Sequence, residues 1–441
     1  MDADVVVIGS GIGGMCAAAL LAHAGYRTVV VEHLAFLGGR FGCIDRDGYK
    51  IATGGHMVNH GRDDPICRTL EEVGASGVEF RELTVPVRYR IAGKDHDLGG
   101  KGGLRTSVAA ASRNETEAAE VMAALHRAIR WQEPPDTLSF REWLLQHTDN
   151  ERIHNLFRCQ AAAFTGVNPQ DFPAGEFIRF LRTYARLRST LVPRNTGAAV
   201  IDALRAVIEQ RGGRVATLAR AIRIMVEGGA AKGVVVEANG RSELVEAKVV
   251  ISNAGPKKTM ELAGEGSFEP WYVEQVERIT PSVAMDYIIV SDRPLLDALL
   301  FTVDARRTEA WSPTTVFWPD EAPAGKHVLE AYAAPLSSTD YDPEEEYRVF
   351  LLDLRETFPA FEECGGRILL ARRFCGEWPI NRCLQGHDLP QRTPVELLYN
   401  VGDGVKPSGW VGASGAALSA RLVADDVKQR VRPPGARCSR P

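Results

Sequence analysis

Residues Val5 to Glu32 read VVVIGSGIGGMCAAALLAHAGYRTVVVE, and this stretch decides the fold. Four β-prone residues, Val5-Val6-Val7-Ile8, run into Gly9-Ser10-Gly11-Ile12-Gly13-Gly14. An Ala/Leu-rich helical run continues to Gly25, and a second β-prone run, Arg27 to Val31, ends on Glu32. That order is a β-α-β unit with a dinucleotide fingerprint at its first turn. Gly9 suits the tight turn, Gly11 lets backbone approach a pyrophosphate, and Gly14 lets helix and strand pack closely. The helix N-terminus supplies free N–H groups and partial positive charge for a diphosphate. Glu32 stands about twenty residues on, where a carboxylate accepts hydrogen bonds from ribose hydroxyls and repels a 2′-phosphate. A Gly-rich loop with no ligand is the alternative reading of the glycines alone. The strand, helix, second strand and acid, in that order, weigh against it.

Beyond Glu32 comes HLAFLGGR (33–40), then a hairpin through 42–44 and 49–51, then Thr53-Gly54-Gly55-His56. Paired glycines before Arg40 bring backbone close to a phosphate and leave a guanidinium as counter-charge; an ordinary turn with a surface arginine is the alternative. Residues 65–73 read as a helix, and 85–91 with 94–98 as a hairpin. From 108 to 190 helical signals dominate, broken at Pro134-Pro135 and near Pro169 and Pro173, which reads as an inserted helical cap. Within it, Glu176 to Leu191 sets Phe177, Phe180, Leu181, Tyr184, Leu187 and Leu191 on one stripe. Arg179, Arg182, Arg186 and Arg188 decorate the other side. A packed amphipathic helix with a solvated basic face explains this; a membrane-surface helix or a basic mouth for an acidic substrate are the sharper alternatives.

A helix over 198–210 is followed by strands at 214–217, 221–226, 233–237 and 244–250, the last running into Ile251-Ser252-Asn253-Ala254-Gly255-Pro256. The alternation implies a return to the nucleotide-binding sheet with a small β-meander on top. Strands at 284–290, 314–318 and 327–333 with one helix at 343–357 favour an antiparallel sheet. The chain closes with a strand at 397–401, Gly402-Asp403-Gly404, Trp410 and a small-residue helix over 412–427; the tail 431–441 is expected to be disordered.

With 441 residues, 45% hydrophobic and 25% charged, the chain is an ordinary globular protein with room for more than one core. A net charge of −5 gives no electrostatic case for nucleic acid as a partner. The eight cysteines form no CxxC pair, so neither a zinc site nor a dithiol centre is indicated, and no metal is expected. Reduced thiols point to a cytoplasmic protein. No run approaches the ~20 apolar residues that span a bilayer, and MDADVVV lacks the basic start of a signal peptide.

Together, VVVIGSGIGG…E, GGR, SNAGP and NVGDG…GWVGASGAALSAR resemble the flavin-dependent amine oxidase and phytoene-desaturase superfamily, nearest the phytoene-desaturase-like (carotenoid desaturase/isomerase) branch. The segment 197–256 is similar to that branch's middle block. The resemblance covers the nucleotide-binding parts, not the cap and sheet. It implies an α/β fold: a glutathione-reductase-type FAD-binding Rossmann domain built from discontinuous segments (1–64, 192–279, 388–430), with an inserted α+β substrate domain (65–191, 280–387) of antiparallel sheet plus helical cap. Carried over by position, it implies a cofactor set of Gly9, Ser10, Gly11, Ile12, Gly13, Gly14, Glu32, His33, Gly39, Arg40, Gly55, His56, Ile222, Asn253, Ala254, Gly402, Asp403, Val411, Gly412 and Ala413. Gly9, Gly11 and Gly14 take the diphosphate, Glu32 the adenosine ribose and the backbone of Ile222 the adenine edge. The helix opening at Val411-Gly412-Ala413 points N–H groups at the flavin's N1–C2=O, where reduced flavin carries negative charge.

The chemistry so implied is dehydrogenation of a C–C bond in a largely apolar small molecule, by hydride transfer to flavin N5. Trp410 is the expected substrate wall, His56 a general base or flavin hydrogen-bond partner, and His387 in INRCLQGHDLP a substrate-facing residue; packing or loop roles are the alternative for each. Only one dinucleotide fingerprint is present, so electrons are expected to leave for oxygen, a quinone or another protein. Lys257 and Lys258 are expected to face solvent, and no lysine is placed where the family's amine oxidases use one, which favours C–C over C–N oxidation. The alternatives are a flavin amine oxidase, a redox-neutral flavin isomerase, and a non-enzymatic prenyl-binding escort of the same fold. A small-molecule substrate and a peripheral contact with a membrane surface complete the expectation.

Overall fold

Val5–Ile8 (β1) carries four consecutive buried apolar residues, as a strand covered on both faces must. In the computed structural model, which describes residues 3–97, 103–184 and 189–433, β1 is the centre of a five-stranded sheet. The order runs Leu398–Asn400, Val249–Ser252, β1, Thr28–Val31 (β2), Arg214–Ala216, and every pairing is parallel. The helix Ile12–His23 (α1) buries all but one of its residues. It does so because its Ala-rich surface lets helices Ala198–Gln210 and Gly412–Arg430 approach from both sides, forming one core with Met15, Leu21, Leu204 and Val423. The opposite face is covered by an antiparallel meander of Arg220–Glu227, Ala230–Ala238 and Arg241–Glu246.

Here the expected single strand over 244–250 is two strands. Arg241–Glu246 closes the meander and Val249–Ser252 joins the parallel sheet beside β1. An unbroken β-prone run concealed the change of sheet. The helix Pro65–Val73 (α2), N-capped by Asp64 through Ile66 N–H, packs Ile66, Leu70 and Val73 into the core around α1. It therefore lies with the nucleotide-binding layer and not with the cap.

A second sheet has seven strands in the order Arg367–Phe374, Ala284–Ser291, His327–Ala333, Thr308–Pro313, Leu299–Thr302, Val87–Ile91, Lys94–Asp97. It is antiparallel except where Leu299–Thr302 runs parallel to Val87–Ile91. Residues 314–318, expected as a strand, hold a 3₁₀ turn at Thr314–Val316; the strand is the preceding Thr308–Pro313. The β-branched Thr314-Thr315 pair misdirects the reading, and Pro313, with no N–H for the ladder, marks where the strand stops. Helix Pro343–Thr357 covers one face, with Phe350 stacked on Tyr287 at 3.5 Å between ring centroids. Above the far end sits a cap of helices around Phe140, Phe157, Phe172, Phe177 and Phe180.

The amphipathic segment ends sooner than its pattern suggests. The helix spans Ala174–Tyr184, and Leu191 already belongs to a short strand, Leu191–Pro193, paired with Phe80–Glu82. Its basic side is not a free solvated face: Arg179 pairs with Glu133, Asp136 and Glu176, and Arg182 with Glu133 and the carbonyls of Ala128 and Ile129. Arg186, Leu187 and Arg188, like Leu98 of the expected hairpin and the tail beyond 433, lie outside the described residues. Among the described residues no helix is long and apolar enough to cross a membrane.

The first turn generates a prediction. A Cβ on Gly14 would fall 2.2 Å from the carbonyl oxygen of Gly9, a backbone atom that has no rotamer to yield. Gly14→Ala is expected to destabilise the fold by about 1–3 kcal/mol in urea unfolding. Gly266→Ala, where nothing stands within 4 Å, should stay within about 0.5 kcal/mol of the parent.

Candidate functional site

The C-terminal ends of three parallel strands converge, and Asn253 joins them. Its backbone N–H donates to Ile8 O at 2.7 Å and its Nδ2 to Val401 O at 3.0 Å. The fit leaves no room for side chains: a Cβ on Gly11 would sit 2.4 Å from Asn253 Oδ1, and one on Gly402, at φ +113°, 2.5 Å from Asn253 Nδ2. One on Gly13 would meet the Gly402 backbone at 3.0 Å. This close packing brings two helix N-termini together, and neither has a side-chain cap. The first helical bonds are Met15 N–H to Gly11 O and Gly415 N–H to Val411 O. The amides of Ile12, Gly13, Gly412 and Ala413 are thus left without an intrahelical acceptor. All four residues line one cavity of about 220 Å³.

Arg40 and Asp403 form the charged part of that wall. Arg40 Nη1 and Nη2 each donate to an Asp403 carboxylate oxygen at 2.7 Å, and Nη1 also reaches the carbonyls of Pro379 and Ile380. Burial acts to raise the Asp403 pKa, yet Arg40, Arg382 and Lys406 hold it far below the usual carboxylate range. Arg382 donates its backbone N–H to Asp403 at 2.9 Å, while its buried Nε finds no partner. Burial and the neighbouring Arg40 charge both push the Arg382 pKa down. Two guanidiniums face one carboxylate, since Lys406 is paired with Asp388. The surplus positive charge beside the free helix amides suits a diphosphate-bearing cofactor.

The expected cofactor residues divide in two. Gly11, Ile12, Gly13, Arg40, Gly55, His56, Asn253, Gly402, Asp403, Val411, Gly412 and Ala413 line the cavity. Gly9, Ser10 and Gly14 form the turn behind it. Glu32 holds that turn: Oε2 accepts from Ser10 N–H at 2.9 Å and Ser10 Oγ at 2.7 Å, and Oε1 from Leu34 N–H at 2.9 Å, with His33 Nδ1 3.0 Å away. Gly39 neighbours the lining residue Gly38, Ala254 follows Asn253, and Ile222 lies exposed on the meander. Of the expected catalytic residues only His56 is on the wall. Trp410 packs against the His60 ring at 4.6 Å one layer back, and Val411 takes the place at the cavity. His387 is exposed, its carbonyl accepting from Cys383 Sγ.

Much of the wall carries no motif. Ala162, Ala163 and Phe164 come from the cap, and Ala284, Leu299, Phe301, Ala310, Ser312 and Tyr332 from the seven-stranded sheet. Register explains the sheet's share: Asp286 lies opposite both Tyr332 and Arg372, and Glu330 opposite Ile288 and Ser312, so these residues share the face toward His56. The period-2 alternation of 284–291 and 327–333 was the only sequence signal for it. His56 is buried, with Nδ1 3.5 Å from Glu330 Oε2 and neither ring nitrogen hydrogen-bonded to a side chain. Burial lowers its pKa to about 4, so the ring is neutral near pH 7. Arg372 pairs with Asp286, and its Nη2 stands 3.6 Å from Glu330 Oε1. Burial, with Glu330 alongside, raises Asp286 to about 7, and burial raises Glu330 to about 6.

Fold and site define a flavin-type nucleotide-binding oxidoreductase, and the sequence model of the flavin-containing amine oxidoreductases matches residues 12–428. The chain belongs to that family. An uncharacterised protein of Methanocaldococcus jannaschii is 23% identical over 427 residues, covering 96% of this chain and 98% of that one. A phytoene desaturase of Cercospora nicotianae is 27% identical over 296 residues, 56% of this chain and 44% of its own. Among solved structures, an oxidoreductase of Methanosarcina mazei superposes with a TM-score of 0.86 at 27% identity, covering 96% of this chain and 100% of that one. Putrescine oxidase with bound putrescine, at 18% identity and TM-score 0.76 over 98% and 100% of the two chains, shares the fold.

The Arg40–Asp403 pair can be tested directly. Asp403→Asn leaves a largely buried guanidinium without its counter-charge, and a loss of about 3–5 kcal/mol at neutral pH is expected in denaturant unfolding. Because the folded-state pKa is depressed, the wild-type advantage is present above the ordinary carboxylate pKa of about 3.9 and fades as pH falls below it. Unfolding at both pH extremes measures the difference.

Proposed function

We propose that this chain binds FAD and removes two hydrogens across a carbon–carbon bond of a largely apolar small molecule. The diphosphate belongs on the Gly11–Gly13 amides beside Arg40 and Arg382, the adenosine ribose toward Glu32, and the flavin's pyrimidine edge at Gly412 and Ala413. When bound, a flavin supplies a two-electron acceptor for a hydride equivalent. The chain's own residues orient the substrate against it, exclude water with apolar walls and take up the accompanying proton.

The observation that carries this reading is the wall opposite the glycine turns. It is built from Ala162, Ala163, Phe164, Leu299, Phe301 and Ala310. Arg40 and Asp403 neutralise each other and His56 is uncharged. No lysine and no unpaired carboxylate is among the lining residues, so a cationic amine would find no counter-charge there. An apolar chain fits such a surface. Relatives named for desaturating phytoene and for reducing the 13,14 position of retinol support carbon–carbon chemistry. In this reading electrons pass on to oxygen, a quinone or a protein, the protein is cytoplasmic, and its substrate arrives from a membrane surface.

The visible spectrum of the purified protein is the test, followed by anaerobic mixing with isoprenoid polyene precursors and with primary amines. A yellow protein bleached by the former and not by the latter is expected. Bleaching by amines alone would move the activity to C–N oxidation, and a folded protein that stays colourless after reconstitution would end the redox reading. Ala163→Phe should abolish bleaching while flavin stays bound. Glu32→Ala, which also frees the Ser10 turn, should weaken flavin retention about tenfold or more, or ≥ ~1.4 kcal/mol, measured by dialysis against free FAD.

A further inference from the structure

The face of the seven-stranded sheet beneath His56 holds a set of buried charges that cofactor binding does not use. Asp286, Glu330 and Arg372 point to one side of it, with Tyr332 on the same face; Arg372 pairs with Asp286, and its Nη2 stands 3.6 Å from Glu330 Oε1. Both acids are under 2% exposed. A single guanidinium, Arg372, balances one anion and not two. The set therefore holds one exchangeable proton among Asp286, Glu330 and the neighbouring His56. Asp286 Oδ1, Glu330 Oε1 and both His56 ring nitrogens are buried with no side-chain hydrogen-bond partner.

His56 also stands between two cavities. It lines the main one and, with Glu330, a second, smaller one whose wall includes Lys50, Thr196, Thr314 and Glu321. Lys50 and Glu321 are half-exposed, so this second cavity leads from the buried acids toward solvent. The groups facing His56 are Glu330, Asp286 and Arg372 from the sheet, with Tyr332 behind Glu330.

We propose that His56, Glu330 and Asp286 form a proton relay that connects the main cavity to the smaller one, with Tyr332 and Arg372 as its positioning residues. The proposal rests on the oxidative reading above. As the substrate's carbon–carbon bond becomes a double bond, one C–H leaves as a hydride equivalent to the flavin and the other as a proton to His56 Nε2. His56 gives its Nδ1 proton to Glu330 Oε2: a C–H bond breaks, one N–H forms, the other N–H breaks and an O–H forms. The proton then leaves Glu330 through the second cavity. Closing the 3.5 Å separation between Nδ1 and Oε2 needs only a small side-chain movement.

Histidine ring nitrogen NMR of the flavin-loaded protein tests this, with the His56 signal assigned by its loss in His56→Gln. In the wild type the His56 ring shifts are expected to move between about pH 5 and about pH 8, as the Glu330 and Asp286 carboxyls beside the ring gain and lose their shared proton. Glu330→Gln and, separately, Asp286→Asn should displace that profile by about one pH unit or more, while Glu309→Gln, a buried acid paired with Arg158 outside this set, should not. A flat wild-type profile overturns the relay without any variant. So does a profile that Glu330→Gln and Asp286→Asn leave unchanged. Absorbance of the same samples separates the two ideas: a yellow protein with a flat His56 profile removes the relay alone, and a colourless one removes the redox reading on which it rests.

Discussion

The organisation of this molecule depends on the space left around Asn253. Its side chain fills the gap between the first glycine turn and Gly402 so completely that a methyl group on Gly11 or Gly402 would collide with it. That contact ties together the ends of β1, Val249–Ser252 and Leu398–Asn400, which come from the start, middle and end of the chain. It also forces α1 and the C-terminal helix to begin side by side with bare N-termini. Any capping serine or aspartate there would occupy the volume where the free amides converge. The cavity and the anion-binding chemistry follow from the same steric fit.

The second sheet obeys an opposite rule on its two faces. Toward helix Pro343–Thr357 it is apolar, with Tyr287, Trp311 and Leu329 packed as a dry core. Toward His56 it carries Asp286, Glu330, Tyr332 and Arg372, all buried or nearly so. Placing two acids in that position costs stability that an apolar face would not, because their desolvation is only partly offset by one guanidinium. Such an arrangement has a physical rationale where a proton must cross the interior next to a redox cavity, and Arg40–Asp403, fully paired and only about 2.7 Å apart, shows how the same protein treats charges meant to stay fixed.

The relation between the two charge sets is one of contrast in mobility. Around Asp403 both carboxylate oxygens meet donors, from Arg40 and the Arg382 backbone, so its charge is locked. Around Glu330 and Asp286 one carboxylate oxygen of each finds no donor, and Arg372 is a single guanidinium beside two acids. The first set suits holding a cofactor, the second suits moving a proton.

The sequence by itself determined the nucleotide-binding half, because that information is local. A glycine at φ +91° such as Gly9, an acid one strand later that receives the Ser10 amide, and an Arg after paired glycines act over a few residues or one β-α-β unit. His56, which follows two glycines close to that unit, lies on the cavity wall. Only the tertiary structure decided the rest. Trp410 and His387 sit in suggestive strings but do not line the cavity, while Ala163, Phe301 and Tyr332, which carry no motif, do. Which face of a strand looks at a cavity depends on register with partners some forty to ninety residues distant, as when Asp286 meets both Tyr332 and Arg372. Side-chain alternation along one strand leaves the two faces equivalent until those partners are in place.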